Sequence, residues 1–197
     1  MNRAHGQHPS EPTFEWYALV PSSGPLEQGD LIDNFPLLIP PPSLAAIREP
    51  AADQSVEVES RFEKYNVIVI TQSCDLVDLR DEDQVILCPR YDLNTATTRS
   101  GKSLGNKDGW NKLTRGFIIG AHLISRCDLN GHEFDYQVID LQRVFTAPLS
   151  LVSQVAAAQG DRVRLLPPYR EHLSQAFTRQ FMRVGLPIPL PARFPYA

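Results

Sequence analysis

The chain has 197 residues, 42% hydrophobic and 21% charged, with a formal net charge of -4 at pH 7. That is ordinary globular composition, long enough to bury a core within one domain. No apolar run approaches the roughly 18 residues of a membrane span. Met1 to Thr13 has one arginine and no apolar core, unlike a signal peptide, so the expectation is a cytoplasmic protein with no membrane segment.

Charge is divided unevenly. Residues 1–89 carry five Lys/Arg against fifteen Asp/Glu, while residues 90–197 carry fourteen against eight. Such a split points either to one half docking on the other or to a basic face for an anionic partner, and the first is favoured because the basic residues are dispersed. Cys74, Cys88 and Cys127 are odd in number and lack a CxxC pair. That pattern argues for reduced thiols and against a disulfide framework or a structural zinc site, and no cofactor or metal is expected.

Taken in order, residues 1–13 read as a loose tail and 14–197 as a single domain. Phe14 to Val20 forms a short strand or arm, and Pro21 to Pro25 a turn. Leu26 to Ile32 enters a strand whose bent start is Gly29-Asp30. The prolines at 36, 40, 41 and 42 place Phe35 to Pro42 at an extended edge, within an inserted stretch over 35–55. Val56 to Glu59 alternates like an exposed strand. Val67 to Thr71 is a continuous apolar run turning abruptly to Gln72-Ser73-Cys74-Asp75, which marks a strand buried on both faces. A second run, Val85 to Cys88, ends at Pro89. The connection between them is too short for a crossover helix, so the two strands pair antiparallel.

Residues 94–109 are polar and read as a mobile inserted loop. Within it Ser100-Gly101-Lys102-Ser103 is similar to the end of a phosphate-binding loop but lacks the upstream glycine. Phe117 to Ile124 reads as a strand or short helix, Tyr136 to Leu141 as a strand, and Val144 to Pro148 as an extension of the sheet. Pro167-Pro168 open a C-terminal helix over 168–184. Tyr169, Leu173, Phe177, Phe181 and Val184 make its apolar stripe, Arg170, Glu171, Gln175 and Arg179 line the other side, and Gly185 caps it.

Gly29-Asp30 opening a strand, an insertion, the buried Val67–Thr71 run and Val85 to Pro89 together resemble the PemK/MazF-like family of small SH3-like barrels, over about a third of the chain. Most members are endoribonuclease toxins, with an Arg-Pro pair just before the central strand. Lys64-Tyr65-Asn66 stands in that place here, so the resemblance implies a barrel rather than a ribonuclease. The Thr71-to-Leu76 strand end and the Pro167-to-Leu173 helix start also look like an uncharacterised group of bacterial proteins.

Cys74 is the sharpest nucleophile candidate, and a thiolate needs a histidine, a cation or a helix N-terminus beside it. His122 is its candidate base. Asp75, Asp78, Asp81, Glu82 and Asp83 give the neighbourhood the wrong sign for activating a thiol, and no helix is expected after Cys74. For binding, Gln72, Ser73 and Asp75 crowd one strand end, while Arg99, Lys102, Lys107, Lys112 and Arg115 place cations on both sides of Trp110, as single-strand nucleic-acid surfaces do.

The expectation is an α+β protein: a partly open antiparallel SH3-like β-barrel with the C-terminal amphipathic helix packed on it. Its function reads as a non-catalytic binding or regulatory module of bacterial type, the barrel resemblance suggesting a toxin–antitoxin or phage-defence setting. A protein partner comes first, RNA or single-stranded nucleic acid second. The alternative is an enzyme, either a divergent endoribonuclease-like barrel or a Cys74-dependent hydrolase.

Overall fold

The computed structural model describes residues 15–39, 61–101 and 104–182. Its centre is the antiparallel pair β3 (Arg61–Val69) and β4 (Gln84–Asp92), with Ile68 opposite Cys88 and Val69 opposite Leu87. Alternate residues of the apolar run enter two different cores. Ile68, Ile70 and Cys88 pack with Leu31, Ile139, Leu165 and Leu173 on one face. Val67, Val69 and Leu87 pack with Ile32, Phe35 and Val152 on the other. Burial on both faces is why the run shows no polar alternation.

Pro89 does not end its strand. β4 continues to Asp92 because the proline stands where β4 changes neighbours, between β7 (Phe145–Pro148), which pairs as far as Leu87, and β6 (Gln137–Asp140), which begins pairing at Arg90. A missing N–H there breaks no ladder.

On its other side β3 pairs with β2 (Leu31–Ile39), and the strand order is β2-β3-β4-β6-β5, with β5 at Ala121–Ile124. β2 is the edge strand, so Pro36 sits at a sheet edge opposite Lys64, as its missing donor requires. β1 (Tyr17–Val20) pairs with β8 (Arg162–Leu165) in a second, two-stranded sheet. The result is a mixed α+β architecture with antiparallel sheets that do not close into a barrel.

Helices depart further from expectation. Residues 94–109 are not a loop: α2 (Leu93–Ser100) and α3 (Lys107–Thr114) occupy most of the stretch. Asp92 caps α2 by accepting from the amides of Asn94 and Thr95 at 3.0 and 2.9 Å, and Asn106 caps α3 through the Gly109 amide at 2.7 Å. A short α1 (Ser73–Asp78) follows β3, so Cys74 lies in a first helical turn rather than a plain turn. α4 (Leu149–Gln159) covers the second core with Val152 and Ala156.

α5 (Tyr169–Phe181) is the C-terminal helix, covering the first core with Leu173 and Ala176. Its stripe is shorter than expected. Phe177 is half-buried, while Phe181 is 60% exposed and leans edge-on against Phe177. Val184, Gly185, residues 1–13, the prolines at 40–42, Val56 to Glu59 and Lys102 lie outside the described residues.

Asp30 ties the two halves of the chain together. Fully buried, it accepts from Arg162 Nε at 2.8 Å and from Arg164 Nη2 at 3.0 Å. Arg162 donates through Nη1 to the Pro21 carbonyl and through Nη2 to the carbonyls of Gly24 and Pro25. Arg164 and Arg170 both reach Glu27. Gly29, at φ +88°, is required beside it, since a Cβ would lie 2.9 Å from the Leu165 carbonyl oxygen. Internal docking thus absorbs part of the charge asymmetry between the halves.

Candidate ligand cleft

β5 is the last strand of the larger sheet, and α3 and α5 flank it. Between them opens a cleft of about 580 Å³. α3 contributes by its helical phase. Gly109 and Leu113 turn inward to the core, which brings Trp110 and Thr114, four apart, onto the cleft wall. Lys107 and Lys112 fall on the outer face, where Lys112 pairs with Asp108 at 2.6 Å. α5 contributes Tyr169, His172, Gln175 and Arg179, one stripe beside the apolar one. β5 supplies the partly buried His122, two residues before the buried Ile124.

The walls are aromatic. Trp16 stacks on Tyr169 with ring centroids 3.5 Å apart and planes 7° from parallel. Trp110 meets Tyr136 edge to face at 5.0 Å. Basic groups stand around them: Arg115 at the end of α3, Arg179 and His172 on α5, and His122 beneath. Arg179 Nη2 lies 3.3 Å from where a Gly116 side chain would begin, and Gly116 itself has φ +65°. No Asp or Glu lines the cleft, and neither Arg115 nor Arg179 has a carboxylate partner among the described residues. His122 titrates near 4, well below the ordinary imidazole, because burial disfavours its charge and His172 and Arg179 repel it.

The sequence-derived candidates divide among separate places. Trp110, Arg115 and His122 meet in this cleft. Gln72, Ser73 and Cys74 line a shallower depression with Gln28, Arg170 and Ser174, and the two cavities share Gln175. There Ser73 Oγ accepts from the Gln28 amide, and buried Gln28 donates to the Ile70 carbonyl and to Ser174 Oγ. Cys74 is exposed, its Sγ facing Gln72 Oε1 and Asp75 Oδ1 at 3.7 and 3.6 Å. Among the described residues no imidazole lines that depression, and Cys74 and His122 line different cavities. Asp75 is exposed in the first turn of α1 and lines neither cavity. Arg99 lies over the Tyr91 ring, 4.7 Å from its centroid, beside a different and smaller pocket. Lys107 and Lys112 line no part of the cleft.

Sequence reasoning missed Trp16, Tyr136, Tyr169 and Arg179 as members of one site. The local signal for Tyr169 and Arg179 was their helical spacing, but only the fold joins that helix to Trp110. Cys88 is pushed up to about 12 by burial and then by Asp140, which fits an inert core thiol. Among the described residues no group of His, Cys, Asp and Glu is arranged to hold a metal ion, and no helix is long and apolar enough to cross a membrane. Compared with known family models, curated proteins and solved structures, the chain matches none.

Proposed function

We propose that the protein is a non-catalytic binding module whose cleft holds a short stretch of single-stranded nucleic acid, RNA in the first instance. The carrying observation is an aromatic-walled cleft with four basic side chains and, among the described residues, no carboxylate, in a chain whose net charge is -4. Base faces stack on indole and phenol rings without regard to sequence, and guanidinium groups meet the phosphates. An aromatic cage for a cationic ligand fits poorly, since such a ligand would meet two arginines and no counter-charge. That charge pattern is why we place nucleic acid ahead of a protein partner.

Duplex is disfavoured because stacking needs unpaired base faces. A regulatory role in a bacterial toxin–antitoxin or phage-defence system would follow from the resemblance of Gly29-Asp30 and the Val67–Thr71 run to the PemK/MazF-like barrels, on a scaffold whose antiparallel sheets stay open. We propose no hydrolase, because among the described residues the exposed thiol has no imidazole beside it.

Fluorescence anisotropy with a 5′-phosphorylated 12-nucleotide RNA tests the reading. The single strand should bind at least ~10-fold tighter than its duplex, and added salt should weaken it. Trp110→Ala should weaken it by about 10-fold, the loss expected for one stacked base at ~1–3 kcal/mol. No binding at 50 mM salt, or equal binding of duplex, overturns the proposal.

A further inference from the structure

The basic groups of the cleft are of two kinds. Arg115 and Arg179 carry permanent charge, and His122 and His172 carry charge only when protonated. They arrive from three elements: the end of α3, β5 and α5. Neither imidazole makes a hydrogen bond within the described residues, so both ring systems have donor and acceptor capacity to spare. An internal phosphodiester brings one negative charge, which one arginine can meet. A terminal phosphate monoester brings close to two, with three acceptor oxygens and a second pKa near 6. Two guanidinium groups plus two imidazoles, with no competing carboxylate among the described residues, match the second ligand better than the first.

Resting on the nucleic-acid reading above, we infer that the cleft receives the terminal phosphate monoester of a nucleotide or oligonucleotide, with Arg115, Arg179 and His172 around it and His122 taking up a proton as it binds. Without the ligand, His122 is kept neutral at pH 7 by its burial, by His172 and by Arg179. A dianion among these groups reverses the balance, because the negative charge favours the protonated ring. The other titratable groups facing the pair are Arg115 and the phenols Tyr136 and Tyr169. Glu171 faces the Cys74 depression instead. Binding is therefore coupled to proton uptake and strengthens as pH falls from 8.5 to 6.5, while the phosphate is still largely a dianion.

The test compares the same single-stranded 12-nucleotide RNA with a 5′-phosphate, with a 3′-phosphate and with hydroxyls at both ends, together with adenosine monophosphate, at pH 6.5 and 8.5 and constant ionic strength. A phosphorylated end should bind ~10-fold tighter at pH 6.5, with that advantage falling several-fold at pH 8.5. His122→Gln should flatten the pH dependence. His172→Gln, on the exposed face of α5, should weaken the phosphorylated strands at both pH values while leaving the folded protein's melting temperature near that of wild type. Mononucleotide binding as tight as the phosphorylated strand assigns a free-nucleotide site, and tighter strand binding assigns a strand end. Equal binding of phosphorylated and hydroxyl-ended RNA overturns this inference and leaves the single-strand reading standing. Failure of every single strand overturns both. A pH dependence untouched by His122→Gln overturns the coupling of binding to proton uptake.

Discussion

His122 combines partial burial with two like-charged neighbours, and its protonation is therefore linked to folding as well as to ligands. Its folded value near 4 lies below the ordinary 6.5. The unfolded chain binds more protons between those values. The contribution is present in full above about pH 6.5 and is lost as pH falls toward 4, below which it changes no further. The difference corresponds to about 2 kcal/mol after allowing for the ring's partial exposure. His122→Gln should remove that part of the acid sensitivity. Urea midpoints for wild type and variant at pH 7 and pH 4.5 check it, and parallel pH slopes would rule out the linkage. His122 itself was visible in the sequence, but its neighbours were not. His172 lies 50 positions further along, and no local pattern announces that α5 will lie beside β5.

At the scale of elements, the central hairpin and α5 were legible because each depends on a dense apolar signal. The first is an unbroken run buried on two faces, the second a stripe at helical spacing. α2 and α3 give no such signal. Each buries just two or fewer residues, Ala96 in one and Gly109 with Leu113 in the other, and apart from Leu93 and Trp110 its remaining positions are polar or charged. Their caps, Asp92 and Asn106, were the readable marks. A helix with so little packing depends heavily on its cap. Asp92→Ala should destabilise by ~1 kcal/mol, and the loss should be local: hydrogen exchange should quicken at the α2 amides before those of α5. Uniform quickening across both helices would contradict this. α4 and β8 were not legible for opposite reasons. α4 carries no charged face, and β8 is Arg-Val-Arg-Leu, whose arginines read as surface residues until a buried acid is found for them.

For the whole molecule, that acid is Asp30. The opposite charges of the two chain halves were evident in the sequence, and part of their use is the staple of Asp30 with Arg162 and Arg164. Asp30→Asn would leave two guanidinium groups facing a neutral amide at a site with almost no water. Breaking a buried pair in this way costs about 3–5 kcal/mol, against under ~1 kcal/mol for an exposed pair such as Lys112–Asp108. Chemical denaturation of Asp30→Asn and Lys112→Ala should show that contrast, and equal small losses would mean the staple adds no stability. What the sequence did not disclose was the pairing itself, because the register that brings β8 to Gly29-Asp30 is set by β1 and by the Leu165 amide bonding to the Gly29 carbonyl.

The staple also sets an order of events during synthesis. Asp30 leaves the ribosome 132 residues before Arg162, an interval of roughly 7 to 26 seconds at ~5–20 residues per second. Through that interval β1 has no strand to pair with, and the carboxylate must stay in water. The β2–β3–β4 ladder has all its strands early, but the first core lacks Val163, Leu165 and Leu173 until late. Closure of this protein is therefore a late event in its translation. A stall before residue 162 would leave an emerging chain with an open sheet face for chaperones to hold.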